Sequence, residues 1–276
     1  MIELKTKTFD YYLNDDQLFW KKELEKNGAF QIKNLKFVLR LLSTVNVGTI
    51  VDVGANIGMN SLFYSLIAKT TIAFEPQKNI FDLLCKNIEK NKVDVMTQRM
   101  CIGEQTRSVK MKVRKRDGTS FVDHLHGEES VEMVTLDKIF CGEGHELPAL
   151  QVPDITFIKI DTEGYEYPVI VGAKVTLAKY KPILQIEMTE KLQKRYVHDS
   201  DMIFNFLGLL GYAFAVTNTG KVVKCMKDKP SSAGDLFWIP SWYPIVRYER
   251  LNRYHPSFLD DRLNSLFISM KIEKIF

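Results

Sequence analysis

The rhythm of apolar and polar positions changes along this chain, and the change divides it. Through about Asn46 the spacing is helical. DDQLFWKKELEKNG opens on acids, carries lysines later and closes at Asn-Gly, and LKFVLRLLSTV is apolar at helical intervals. From there, strand-like runs (TIVDVG, TTIAFEP, VDVMTQRMCIG, TFIKIDTEG, KPILQIEM, YAFAVTN and DLFWIP) alternate with the helical runs FDLLCKNIEKN, VIVGAKVTLAKY and SDMIFNFLGLLG. SVKMKVRKRDG reads as a hairpin, and a less regular stretch follows it to Gln151. Strands separated by helices need crossover connections, so the pattern predicts an α/β protein whose parallel sheet carries helices on both faces. YAFAV and DLFWIP are joined without an evident helix, which predicts an antiparallel last strand. Beyond Pro240 the texture turns aromatic and arginine-rich, with breaks at Pro244 and Pro256. The expected division is a helical segment over 1–46, a catalytic-type α/β domain over 47–240, and an extension over 241–276 that packs on it.

Composition narrows the class. At 276 residues, 45% of them hydrophobic and 26% charged, the chain suits one large globular domain with appendages. The net charge of +4, from 38 basic and 34 acidic residues, is too mild to require nucleic acid. Four scattered cysteines without a CxxC pair, and no signal peptide ahead of them, predict a reduced, cytoplasmic protein. The most apolar stretch, Met202 to Val216, is too short to span a bilayer.

The chemistry begins at IVDVGANIGMNS, Ile50 to Ser61, a strand running into a glycine turn and a helix start. In open parallel sheets, ligands bind at such strand ends. GANIGM is not the dinucleotide loop G-x-G-x-x-G: Asn56 fills the middle position, where a glycine would clear space for a pyrophosphate, and Met59 fills the last. Glu75 ends the next strand at about the spacing at which an acid takes ribose hydroxyls, and Pro76 fixes the chain's exit. A ligand with a ribose and no diphosphate is implied, and S-adenosylmethionine answers that description.

DVGANIG, AFEP, TLDKI, FIKIDTEGYE, KPILQIE and LFWIP follow one another in an order that resembles the FkbM family of S-adenosylmethionine-dependent methyltransferases, over roughly Gly48 to Pro240. The resemblance implies a Rossmann-like class I methyltransferase fold. Its sheet would be seven-stranded and mostly parallel, with an antiparallel last strand and helices on both faces. It also implies methyl transfer to oxygen, with sugar hydroxyls or related natural-product hydroxyls as acceptors. Carried onto this chain, Asp52, Gly54 and Asn56 line the methionine part of the cofactor, Glu75 holds the ribose, and Met100 with Cys101 borders the adenine. Cys101 stands where such enzymes often have alanine.

Methyl transfer needs an oxygen aligned behind the methyl carbon and a destination for its proton. The strand-end acids Asp161 and Glu187, with Glu163 in the turn, are the candidates, and Asp161 has a second reading as a cofactor contact. Asp161 and Glu187 could also bracket a divalent ion, but the plainer reading needs no metal. His198, after the fifth strand, is a candidate general base; the competing reading is that it merely neighbours the helix cap formed by Asp199 or Ser200. HLHGE (His124, His126, Glu128) is too sparse for a metal site. Alternation in FIKID puts Phe157, Lys159 and Asp161 on one face, and a lysine inside a central strand requires a buried partner, with Asp52 the leading choice. Lys110, Lys112 and Arg114 share a face that reads as solvated, or else as a landing site for an acidic acceptor. Two other functions compete. One is a nucleic-acid methyltransferase, disfavoured by DTEG where amino methyltransferases carry a Pro-Pro-Tyr type motif. The other is a non-catalytic S-adenosylmethionine-binding protein.

Overall fold

Every residue of TIVDV, Thr49–Val53, is buried, and so is every residue of ITFIKI, Ile155–Ile160. Strands with no solvent face belong at the centre of a sheet covered on both sides, and in the computed structural model they lie there side by side. The structure describes residues 1–43, 45–113, 120–123, 125–142, 149–196, 198–212, 214–231, 234–240 and 243. In chain order the first elements are β1 (Ile2–Lys5), β2 (Asp10–Leu13), α1 (Leu18–Asn27), α2 (Ile32–Leu42), β3 (Thr49–Val53), α3 (Met59–Tyr64), β4 (Thr70–Phe74), α4 (Lys78–Asn91) and β5 (Met96–Gln98). Then come β6 (Cys101–Ile102), β7 (Arg107–Lys112), β8 (Phe121–Val122), β9 (Glu129–Val134), α5 (Leu136–Cys141), β10 (Ile155–Ile160), α6 (Glu166–Val171) and α7 (Lys174–Tyr180). The last are β11 (Ile183–Glu187), α8 (Glu190–Gln193), α9 (Ser200–Leu209), β12 (Ala215–Val216), β13 (Val222–Val223) and β14 (Asp235–Trp238).

The main sheet runs β13-β12-β14-β11-β10-β3-β4-β5. β5, β4, β3, β10 and β11 are parallel neighbours, and β14 is antiparallel to both β11 and β12. This is the mixed sheet of the class I methyltransferase fold, antiparallel strand included. It has eight strands rather than the expected seven. After β12 the chain turns at Gly220, whose N–H donates to the Thr217 carbonyl, and returns as the edge strand β13.

The alternation along the central strands sorts their side chains into two cores. Val51, Val53, Ile158, Ile160, Leu184 and Ile186 join the core that includes Val169, Leu177 and Leu207 of α6, α7 and α9. Ile50, Phe157 and Ile183 join the other, with Leu35, Val38 and Leu39 of α2, Leu62 and Phe63 of α3, and Ile80 of α4. The helical segment that opens the chain therefore shares a core with the central strands.

Four local expectations need correction. The first helices are preceded by a hairpin, β1 against β2. VDVMTQRMCIG is not one strand: β5 stays in the main sheet, while β6 leaves it for a four-stranded sheet, β6-β9-β7-β8. The irregular stretch before Gln151 contains β9 and α5; β9 pairs with both β6 and β7, and its apolar positions Val131 and Met133 are buried. VIVGAKVTLAKY breaks into α6 and α7 at Gly172, where a Cβ would lie 1.9 Å from the Gly103 carbonyl oxygen, so the two backbones can meet only at a glycine. In the SVKMKVRKRDG hairpin, Val109 and Met111 are buried and Lys110 is exposed, while Lys112 pairs with Glu128. Arg114 and the turn after it lie outside the described residues, as do His124, His145, His255 and the extension from residue 241, apart from Tyr243.

The opening hairpin is held by α4. Asn87 Oδ1 accepts the Tyr12 N–H at 2.6 Å, and Asn87 Nδ2 donates to the Tyr12 carbonyl at 3.3 Å and to the Ile57 carbonyl at 2.9 Å. One turn on, Asn91 Oδ1 accepts the Asp10 N–H and its Nδ2 donates to the Asp10 carbonyl. Two asparagines at i and i+4 satisfy the exposed edge of β2 as another strand would.

Candidate active site

At the carboxyl ends of β3, β4, β10 and β11 lies a cavity of about 370 Å³, lined by Gly54, Asn56, Glu75, Lys159, Asp161 and Glu187 among others. Its size is that of a small-molecule site. The glycine turn after β3 makes one wall. Gly54 has φ +80, and a Cβ there would lie 1.9 Å from the Asp161 carbonyl oxygen, so the turn passes directly over the end of β10. Asn56 is also left-handed, at φ 54, a conformation that asparagine tolerates better than most residues, and its Oδ1 accepts the N–H of Ile57.

Glu75 closes the next side. Its Oε2 accepts the Asn56 N–H at 3.0 Å and its Oε1 accepts the Gln77 N–H at 2.9 Å. Burial pushes its carboxyl up to about 7 against the pull of those two N–H groups. Each oxygen accepts one N–H and so keeps lone-pair capacity for a further donor. Pro76, Met100 and Cys101 also line the cavity.

At the other end stands a charged cluster. Lys159 Nζ is 3.0 Å from Asp161 Oδ2 and 3.8 Å from Asp52 Oδ1. Burial opposes its charge, but Asp161 and Asp52 outweigh that and hold the ammonium above its ordinary range. The partner expected from the strand pattern is thus present, with the closer contact going to Asp161. Glu187 neighbours Asp161 because Ile160 and Ile186 are partners in the β10–β11 register. Its Oε1 accepts the Thr189 hydroxyl, and its Oε2 is buried without a partner among the described residues. Burial first, then the carboxylates of Asp161, Glu166 and Glu163, push Glu187 up to about 10.

Two expected residues stand elsewhere. Asp52 does not line the cavity: it is fully buried behind the wall, accepting the Ser61 hydroxyl at 2.6 Å. It sits on the same face of the sheet as Lys159, its register partner, and lies 3.8 Å from that ammonium. His198 does not line the cavity either. It lies beside a shallower depression with Lys194 and Lys227, its ring packed near those of Tyr167 and Tyr196. The competing reading of its surroundings holds, since Asp199 caps α9 by accepting the Asp201 N–H. His126 is exposed and lies 3.6 Å from Asp123. Among the described residues, no group of three or more His, Cys, Asp or Glu side chains is disposed to hold a metal ion.

The structure also adds residues. Glu166 explains the DTEGYE motif: its Oε1 accepts the N–H groups of Thr162 and Gly164 and the Thr162 hydroxyl, locking the turn that carries Asp161 and Glu163. Asp137 of TLDKI accepts the N–H groups of Val175 and Thr176 and so caps α7. Phe19, Trp20, Phe30 and Gln31 of the opening helices form part of the cavity wall. Glu166, five residues after Asp161 in DTEGYE, was legible only as an acid next to the turn, and nothing in the local pattern marked the aromatic residues as a wall.

A crystal structure of the FkbM methyltransferase from Methylobacillus flagellatus is similar at 16% identity and a TM-score of 0.43, over 72% of this chain and 48% of that one. This chain thus spans about half of that protein's length. The Pyrococcus abyssi tRNA (uracil-54, C5)-methyltransferase is similar at 10% identity and a TM-score of 0.43, over 86% of this chain and 42% of that one. A third similar structure is precorrin 8w decarboxylase from Methanobacterium thermoautotrophicum, at 12% identity and a TM-score of 0.44, over 77% of this chain and 92% of that one. No curated protein matches the sequence. The methyltransferase FkbM domain model matches residues 52–214, more than half of the chain and the whole span from the glycine turn through β11, and the chain belongs to the FkbM methyltransferase family.

Proposed function

We propose that the cavity binds S-adenosylmethionine and that the chain transfers its methyl group to a hydroxyl oxygen of a sugar, glycan or related hydroxylated small molecule. The observation that carries this reading is Glu75, a carboxylate that accepts the N–H groups of Asn56 and Gln77 at the wall of a cavity whose turn carries Asn56 in place of the middle glycine of a dinucleotide loop. When bound, the cofactor supplies an electrophilic methyl group on a sulfonium. The residues of this chain do the rest. Glu75 accepts the two ribose hydroxyls, Met100 and Cys101 flank the base, and the Gly54–Asn56 turn receives the methionine part. Asp161, fixed by Lys159, accepts the proton of the acceptor hydroxyl, and the unpartnered oxygen of Glu187 orients that hydroxyl. No metal is needed for these steps.

The same reading sets the protein in the cytoplasm. Its four cysteines are all free, and no described helix is long and apolar enough to cross a membrane. The test has two parts. Calorimetry with S-adenosylhomocysteine should register binding that Glu75→Gln weakens, and labelled methyl transfer into extracts of the native organism should mark a hydroxylated acceptor. Absence of binding heat would end the cofactor reading, and label appearing only in nucleic acid would end the acceptor reading.

A further inference from the structure

KLQKRYVHDS draws attention for its histidine, but the fold sets two other residues of that stretch against the cavity wall. Part of the wall is β8 and the residue before it: Ser120, Phe121 and Val122 all line the cavity. β8 is two residues long and pairs with β7 at Met111 and Lys112. A ladder this short fixes little, so side-chain contacts decide where the wall stands.

Those contacts come from two sides. Toward Glu75, the Ser120 hydroxyl donates to Gln77 Oε1 at 2.6 Å, and the Gln77 N–H donates to Glu75 Oε1. From the segment after β11, the Tyr196 hydroxyl donates to the Val122 carbonyl at 2.9 Å. Arg195 lays its guanidinium over the Phe121 ring, with Cζ 3.7 Å from the ring centroid. The same group donates from Nη1 to the Glu163 carbonyl at 3.0 Å. One planar side chain thus joins β8 to the turn that follows Asp161, and a guanidinium is suited to stacking and donating at once.

The turn it grips needs holding. Glu163 is left-handed at φ 57 without being glycine, a conformation that persists only where the surroundings impose it. Gly164 follows at φ +105, and a Cβ there would lie 2.4 Å from the Leu192 carbonyl oxygen, so the turn is pressed against α8. The segment that bears Arg195 also fastens the neighbouring acid. The Thr189 hydroxyl donates to Glu187 Oε1 at 3.2 Å, and Gln193 Nε2 donates to the Glu187 carbonyl at 3.5 Å. Residues 189–196 therefore touch the Glu187 strand end, the turn after Asp161 and the β8 wall, three parts of one cavity.

We infer that Arg195 is a positioning residue for methyl transfer: it clasps β8 to the turn after Asp161 and so sets the spacing between Asp161 and the β8 wall. The inference rests on the function proposed above. Arg195 does not itself line the cavity and acts through Glu163 and Phe121. A misplacement of about 1 Å can slow a positioned reaction about a hundredfold, so a loosened clasp should show in turnover before it shows in donor binding.

The test uses the full chain and begins with hydrogen exchange in the ligand-free protein. In Arg195→Met, the amides of β8 and of residues 162–165 should exchange together, about fivefold faster or more, while those of β3 and β4 stay at the wild-type rate. Tyr196→Phe should quicken β8 alone. S-adenosylhomocysteine affinity of Arg195→Met, read by calorimetry, should stay within about threefold. Labelled methyl transfer from saturating S-adenosylmethionine into extracts of the native organism should fall about tenfold or more. Arg195→Lys keeps a charge and a donor but loses the plane, and should recover the protection of residues 162–165 and part of the transfer. Wild-type exchange at β8 and the turn in Arg195→Met, or exchange quickened equally across the whole chain, would overturn the proposal. So would transfer at the wild-type rate, or a loss of S-adenosylhomocysteine affinity as large as the loss of transfer. If the wild-type protein neither binds S-adenosylhomocysteine nor transfers label, the proposed function fails, a distinct result that leaves the exchange measurement to decide the clasp.

Discussion

Lys159 Nζ lies 3.0 Å from Asp161 Oδ2, so a cation inside a fully buried strand is anchored to the acid that ends the same strand. Asp52, its register partner on β3, closes the arrangement from behind at 3.8 Å. Removing the lysine would strand Asp52, which is 0% exposed, without a counter-charge. Lys159→Met should therefore destabilise the protein by roughly 3–5 kcal/mol in urea unfolding, with part of the loss recovered in Lys159→Met/Asp52→Asn. A wild-type unfolding midpoint for the single variant would show that the pair is not holding the strands.

Glu75 links cofactor binding to pH. Its carboxyl stands at about 7 in the folded protein against an ordinary 4.5, because burial disfavours the charge. The folded state thus binds more protons than the unfolded state between these values. Stability should fall as pH rises from 4.5 to 7, by an amount on the order of 3 kcal/mol, and level off above. The ionised form is the one that accepts a diol, so affinity for S-adenosylhomocysteine should rise about tenfold from pH 6 to pH 8. Both trends should flatten in Glu75→Gln. Calorimetry across this range checks the second, and an affinity independent of pH would refute it.

Gly54→Ala tests the turn. The added carbon would lie 1.9 Å from the Asp161 carbonyl oxygen, with the backbone at φ +80. Backbone cannot yield as a flexible side chain would. The variant should lose about 3 kcal/mol or more of stability and, where it still folds, bind S-adenosylhomocysteine at least about tenfold more weakly. Thermal unfolding near wild type would mean that the turn has slack.

Turnover should survive the loss of His198. Its ring is packed near Tyr167 and Tyr196, away from the cavity lining. His198→Ala should keep kcat within about twofold and leave the pH–rate profile unshifted. Disappearance of a titration near neutral pH would restore the histidine to the mechanism.

Asn87 joins three segments at once: α4, β2 and the glycine turn at Ile57. Asn87→Leu deletes those bonds and leaves backbone groups unpaired, at a cost of roughly 2–4 kcal/mol. Hydrogen exchange should quicken first in β1, β2 and α1. Uniform exchange across the whole chain would argue against a local role.

The sequence by itself determined the elements whose signals are local. Apolar runs such as TIVDV and FIKID marked the strands, and the order of strands and helices required parallel crossovers. The spacing from Gly54 to Glu75 marked two strand ends as one ligand wall, because adjacent parallel strands bring their ends together whatever surrounds them. The need for a partner to Lys159 was legible for a similar reason, since a buried ammonium is costly anywhere.

Only the tertiary structure decided which residues face the cavity. A period of two states that Asp52 lies on one face of the sheet, but α3 packs on that face and Ser61 covers the carboxylate, so the cavity begins one residue later. His198 follows the right strand, yet its loop packs onto Tyr167 and Tyr196 instead of leaning over the site. The helical spacing of α1 and α2 records that a stripe is buried and is silent on what buries it. In the fold Asn34 of α2 meets Asp235 of β14 across 201 residues of chain, a contact that no local pattern encodes.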